Sequence, residues 1–261
     1  MSAAVADTAP QRTWLDAVNP VTCFVAAVLY TIPMLTTIDA VSAVVALVSW
    51  LILFAVTGIG PRTIIRRSWP LFIAAPVSAI SMLLYAAPGG QVYAQFLLAV
   101  ISDNSIELAL AIGLRVLAVG VPTLVALGGI DPTRLADALG QVARLPARFV
   151  LGALAGVRLF GVLGEDWRQL ALARRARGLG DDGRIRRAFS LAFSLLVIAL
   201  RRGEGLATAM EARGFGVGER TWARPSSLGR ADLVLVLVAL AVAAVSIGAS
   251  LALGSYRLLG T

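Results

Sequence analysis

The stretch LVLVLVALAVAAVSIGASLAL, residues 233–253, runs for 21 residues without a charge. A bilayer core of about 30 Å needs about 20 apolar residues in a helix, so this segment reads as a membrane span. The rest of the chain agrees, since 58% of its 261 residues are hydrophobic and only 15% are charged. Soluble domains carry about 25% charged residues. A mean hydropathy of +0.84 completes the case for an all-α integral membrane protein.

Working back from that span, four further apolar segments are set off by polar flanks. They cover 20–35, with Pro33 inside; 39–57; 69–85, with Pro70 and Pro76; and 106–127. About five transmembrane helices are therefore expected. The expected organisation is an N-terminal membrane region of four helices (1–127), a region of cytoplasmic or interfacial helices (128–231) and a C-terminal membrane helix (232–261). Asp7, Arg12 and Asp16 interrupt the start of the chain, so no cleaved signal peptide is expected. The single cysteine, Cys23, lies in the first apolar segment and has no partner for an internal disulfide.

Basic residues favour cytoplasmic loops. Arg62, Arg66 and Arg67 after the second segment place that loop inside, whereas the linker 86–105 has no basic residue and contains Asp103, as an outer loop would. The N-terminus and region 128–231 then fall inside, and an odd number of spans leaves the C-terminus outside.

Region 128–231 holds 17 arginines against 9 acidic residues, which is the whole net charge of +8. It is not a hydrophilic loop. PARFVLGALAGVRLFGVLG (146–164) is long enough to span, but Arg148 and Arg158 would each cost a few kcal/mol near the bilayer centre. An interfacial or protein-packed helix is the favoured reading. Gly152 and Gly156 form a GxxxG pair suited to close helix packing, followed by Gly161 and Gly164. Further on, Leu191, Leu195, Ile198, Leu206 and Met210 fall near one helical face, the pattern of an amphipathic helix.

Within this region a short element occurs twice. In ALARRARGLG (171–180), Ala173, Ala176, Arg177, Gly178 and Gly180 recur in order as Ala209, Ala212, Arg213, Gly214 and Gly216. Glycine commonly follows a helix C-terminus because it adopts the left-handed conformation there at little cost. Each arginine then sits in the last turn, where the helix dipole favours a cation and the guanidinium points past the helix end. Lipid attraction asks for charge density and not for a fixed Ala-Arg-Gly order, so a protein receptor used twice explains the repeat better. Arg174 and Arg175 need meet only lipid headgroups or acidic neighbours.

What is missing narrows the chemistry. The chain has no histidine and no lysine. A histidine base, a histidine metal site, a Schiff-base lysine and the lysine-bearing nucleotide P-loop are all excluded. If the function uses ATP, a partner must bind it.

These features resemble the transmembrane coupling (T) component of energy-coupling factor (ECF) ABC-type importers, a family that includes cobalt, nickel and biotin transporter versions. The resemblance runs from NPVTCFVAAVL (19–29) through LRVLAVGVPTLVALGGIDPTRLADALG (114–140) to AMEARGFG (209–216). Its most specific part is the pair Ala176-Arg177-Gly178 and Ala212-Arg213-Gly214. It implies a non-catalytic scaffold in a bacterial inner membrane, with the two motifs ending cytoplasmic coupling helices that dock into two ABC-type ATPase subunits, identical or different. It further implies a membrane-embedded substrate-binding S component for a vitamin or transition-metal ion, with ATP and Mg in the ATPases and no cofactor in this chain. Two departures stand out: Val21, Thr22 and Cys23 replace a basic residue usual after the first proline, and Gly129-Ile130 replace a threonine pair before Asp131-Pro132.

Other classes have thinner support. A self-contained channel or secondary transporter would use intramembrane charge, for which Arg115 is the candidate, with Glu107 as a possible partner, but the favoured reading of Arg115 is a packed face, bonds to carbonyls or snorkelling. A membrane enzyme would need paired carboxylates, but Glu165-Asp166 read as a solvated helix end with a local Glu165–Arg168 pair, and Asp181-Asp182-Gly183 as a turn. No aromatic interleaving accompanies the arginines, so nucleic acid is not expected as a partner. Membrane lipid is.

Overall fold

A computed structural model of the chain describes residues 14–87, 89–96, 99–178, 183–215 and 221–255. Gly180, Gly216 and the expected turn at Asp181-Asp182 lie outside these residues. The chain divides into two compact units, 1–130 with 227–261, and 131–226.

The first unit opens with a short 3-10 turn, Trp14–Ala17, followed by α1 (Pro20–Leu35), α2 (Ala40–Val56), α3 (Pro61–Ser68) and α4 (Leu71–Tyr85). A hairpin of β1 (Val92–Phe96) and β2 (Ala99–Ser102) leads into α5 (Asp103–Leu127), and α9 (Arg230–Ala252) closes the unit. Local sequence accounts for the starts. Asn19, Asp39 and Ser102 cap α1, α2 and α5 with their side-chain oxygens, and Pro20 and Pro61 occupy first-turn positions where no N–H is needed.

All five apolar segments are helical, but they differ in length. Among the described residues of the whole chain, three helices are long and apolar enough to cross a membrane: α5, α9 and α7 (Ala147–Ala176) of the second unit. A fourth is added if α3 and α4, bent by 58° at Trp69-Pro70, form one broken span. The helices α1 and α2, with 16 and 17 residues, are shorter apolar helices. The linker 86–105 contains an antiparallel two-stranded hairpin that apolar periodicity did not announce.

The core of this unit is built on small residues. Ala26, Ala43, Ala46, Ala118, Ala239 and Ala243 are buried where α1, α2, α5 and α9 meet, which lets helix backbones approach closely. Gly113 and Gly120 do the same between α5 and α4, where an added Cβ would meet Ala79 or Leu71. Tyr30, Trp50 and Phe54 fill the wider space, Tyr30 meeting Trp50 edge-on at 5.5 Å. Pro122 lies inside α5 and lacks the N–H that would bond the Ala118 carbonyl one turn back. The buried Tyr30 hydroxyl donates to that carbonyl at 2.8 Å.

The second unit consists of α6 (Pro132–Gln141), α7 and α8 (Arg184–Ala212). Asp131 caps α6, accepting from Thr133 N at 2.6 Å and Arg134 N at 3.3 Å. These bonds, that from Thr133 foremost, hold its carboxyl below the usual aspartate range; the nearby Arg224 guanidinium adds to the effect and partial burial opposes it. The Gln141 side chain ties the returning segment to α6, donating to Arg224 O at 2.8 Å and accepting from Ser226 N at 2.9 Å.

Candidate functional site

Both Ala-Arg-Gly elements end long helices with the same geometry. Arg177 is the C-cap of α7 and Arg213 that of α8, with backbone angles of −90°, 7° and −89°, 10°. Gly178 and Gly214 then turn left-handed, with φ of 74° and 71°. That region favours glycine, and it turns the chain away from the helix one residue beyond the arginine cap. In both copies the arginine N–H bonds carbonyls three and four residues back, Ala173 and Arg174 or Ala209 and Met210. Phe215 N closes the second end on Met210 O at 2.9 Å.

The two arginine side chains are exposed and have no ion pair or side-chain hydrogen bond among the described residues. Their neighbours differ. Arg174, expected to face lipid or an acid, instead donates to Ser190 Oγ of α8 at 2.6 Å. Asp166, expected as a solvated end, is paired with Arg202 through both guanidinium nitrogens, one bond measuring 3.1 Å. Glu165 and Arg168 form the expected local pair at 3.6 Å, fully on the surface.

Together, Arg174–Ser190 and Asp166–Arg202 make α7 and α8 an antiparallel pair, since stepping back along α7 steps forward along α8. The tip at Arg177 therefore lies near the start of α8, and the tip at Arg213 lies at its far end. From Ser190 to Arg213 the helix rises about 35 Å at 1.5 Å per residue. The two tips point in opposite directions, each carrying a free guanidinium.

Comparison with known proteins places this arrangement. A family model described as cobalt transport protein, CbiQ, matches residues 11–222, which include both motifs. The chain belongs to the CbiQ family. It is 31% identical over 195 residues to the energy-coupling factor transporter transmembrane protein EcfT of Exiguobacterium sibiricum, covering 69% of this chain and 73% of that one. It is also similar to the EcfT proteins of Limosilactobacillus fermentum, 28% identical over 222 residues with 75% and 83% covered, and of Brevibacillus brevis, 31% over 176 residues with 59% and 66% covered. With its apolar helices, this CbiQ-family chain is a multi-pass membrane protein.

Gly152 and Gly156 lie on α7 with Gly161 and Gly164, and an added Cβ at any of them would meet nothing within 4 Å. No helix of the chain crosses there among the described residues. Only 6% of the apolar window of α7 is buried by its own chain, and Phe149, Phe160, Phe189 and Phe193 stand exposed on α7 and α8. The amphipathic reading of α8 captured the buried Leu191 but not this second apolar face. Arg158 donates to Thr133 Oγ1 at 3.3 Å, so this arginine of the apolar stretch is engaged by α6.

Arg115 is packed and bonds carbonyls, as expected, but its carboxylate partner is not Glu107. Its guanidinium pairs with Asp39 at 3.5 Å, not with Glu107, which is exposed. It also donates to Met34 O, Thr37 Oγ1 (2.8 Å), Asp39 O (3.3 Å) and Ser42 Oγ (2.8 Å). All of these residues are at least nine-tenths buried. Asp39 in turn accepts from Ser42 N at 2.6 Å and Ser42 Oγ at 2.8 Å while capping α2. Met34 O is one of the last carbonyls of α1, which has no helical donor, so one arginine of α5 closes the end of α1 and the start of α2.

A second arginine does similar work at the other end of α5. Arg67 donates to Val125 O at 2.7 Å, and its side chain lies across Gly128 and Gly129, where a Cβ at Gly129 would collide with it. The glycine that departs from the family's threonine is the residue that admits this contact. Sequence periodicity named the partners of neither clamp, because each joins residues more than 50 positions apart.

Proposed function

We propose that this chain is the energy-coupling transmembrane scaffold of an ECF-type importer, linking two ABC-type ATPase subunits to a membrane-embedded substrate-binding subunit for a vitamin or transition-metal ion. The observation that carries the reading is the pair of exposed arginines, each alone at a glycine-terminated helix end, at opposite ends of one antiparallel helix pair. Two like receptors side by side are what such a doubled element fits. A guanidinium at a slim, alanine-lined helix end offers a fork of donors to carboxylates or carbonyls in a groove.

In this reading the second unit lies on the cytoplasmic side, ATP and Mg reside in the ATPases, and the arginines couple without catalysing. Closure of the ATPase pair draws on Arg177 and Arg213, and α7 and α8 carry the movement to the substrate-binding subunit. The open glycine row of α7, Gly152 and Gly156, and the exposed phenylalanines give that subunit an apolar surface to pack on. The likeness to energy-coupling factor transporter transmembrane proteins supports the assignment.

The test is the double substitution Arg177→Ala with Arg213→Ala, coexpressed with the ABC-type ATPase pair proposed as its partner. Each charge-assisted hydrogen bond removed costs about 1.5–3 kcal/mol, enough to abolish copurification or uncouple uptake. Normal ATP-driven uptake by the double variant removes the basis of the proposal.

A further inference from the structure

A cavity in the first unit has no role in the coupling reading. Among the residues lining it are Trp14, Trp50, Phe54, Ile59, Val234 and Val238, so it lies between α2, α9 and the 3-10 turn, and its volume is about 190 Å³. Its lining is almost wholly apolar. Thr57, the one hydroxyl on the wall, turns back to Leu53 O at 2.8 Å and Phe54 O at 3.2 Å, while Trp50, another lining residue, keeps a buried indole N–H without a partner. A dry cavity of roughly 150 Å³ lined by aliphatic and aromatic groups already holds a benzene-sized molecule, so a segment of one acyl chain fits here.

One charged group stands beside this cavity on the same stripe of α9. Arg230, Val234 and Val238 follow each other at intervals of four residues, which places Arg230 one turn, about 6 Å along the axis, before the lining begins. Arg230 is exposed and has no ion pair among the described residues. The acid two residues on, Asp232, does not compete for it. Asp232 is buried, and its two oxygens accept from Asn19 N at 2.7 Å and Gly229 N at 2.6 Å.

An apolar slot in a membrane unit, with the exposed Arg230 guanidinium one helical turn from it, matches the two halves of an acidic phospholipid. The geometry points to a bound anionic phospholipid, one acyl chain in the α2–α9 cavity and its phosphate on Arg230. The lipid acts as a packing element of the first unit, filling volume that side chains of α2 and α9 leave open.

The full chain, purified in detergent and titrated with phosphatidylglycerol or phosphatidylcholine of identical chains, tests this by native mass spectrometry. Phosphatidylglycerol is retained in preference, as one lipid per chain. Arg230→Gln lowers its retention about fivefold and leaves phosphatidylcholine unchanged, the effect of losing one arginine near an anionic headgroup. Val234→Phe, at a half-exposed position that tolerates a larger side chain, fills the slot and lowers retention of both lipids; Val238→Phe is the second filler. Leu251→Phe, exposed on α9 and absent from the lining, changes neither. Equal retention of the two lipids, indifference to Arg230→Gln, no loss on filling the slot, or a second copy of the chain in place of lipid each overturns the proposal.

Discussion

Arg115 and Arg177 are the same residue in opposite circumstances. The first lies in the membrane unit, within 3.5 Å of the Asp39 carboxylate and surrounded by oxygens of α1 and α2; the second stands at the end of α7 with no partner among the described residues. A buried charge left unpaired is prohibitively costly, so the first unit pairs the guanidinium with Asp39 and gives oxygens to both of its terminal nitrogens, leaving only Nε without a partner. An exposed charge at a helix end costs little to leave unpaired, and it stays available for another molecule. The contrast separates an arginine that holds the fold from one the fold leaves free.

The contrast predicts its largest effect at Arg115. Arg115→Leu should destabilise the chain by about 3–5 kcal/mol, because Asp39 is left charged and buried. Arg177→Leu should change stability by less than about 0.5 kcal/mol, as for other surface positions. Denaturant unfolding in detergent compares the two directly, and equal losses would collapse the distinction. Adding Asp39→Asn to Arg115→Leu should recover part of the loss, since the stranded charge is then gone.

A smaller effect is expected where a polar group satisfies the backbone. Tyr30→Phe leaves the Ala118 carbonyl without its donor and should cost about 1–3 kcal/mol. Adding Pro122→Ala restores an N–H one turn ahead of that carbonyl, so the double variant should be more stable than Tyr30→Phe alone. Absence of that recovery in thermal unfolding would show that the hydroxyl is not standing in for the missing helix bond.

The smallest effect lies in the second unit. The Asp131 carboxyl sits below its unfolded value near 3.9, so its capping contribution is fully present above about pH 4 and is lost as pH falls through the folded value. The group is largely solvated, and the change should be slight. Circular dichroism between pH 5 and about pH 3 should show a small loss of helix that Asp131→Asn, an uncharged cap, does not share.

Much of the candidate site was legible because its signals are local. Glycine after Ala-Arg encodes a helix end within three residues, and the same three residues occur twice, so Arg177 and Arg213 could be singled out without a fold. The Arg202 partner of Asp166 and the Ser190 partner of Arg174 were not legible. Both depend on how α7 and α8 meet, and nothing in either helix alone specifies the register between them. The hairpin before α5 was missed because four- and five-residue strands carry too little pattern.

By itself the sequence determined that this is a helical membrane chain, where its charge is concentrated, where its helices stop and which two arginines end them. Those properties follow from apolar length, cap chemistry and the backbone freedom of glycine, all of which act within a turn or two. Only the tertiary structure decided that Asp39 neutralises Arg115, that Tyr30 serves the carbonyl Pro122 leaves open, and that a slot remains between α2 and α9. Burial forces each polar group to find a partner, but which partner depends on which helix faces meet across the core.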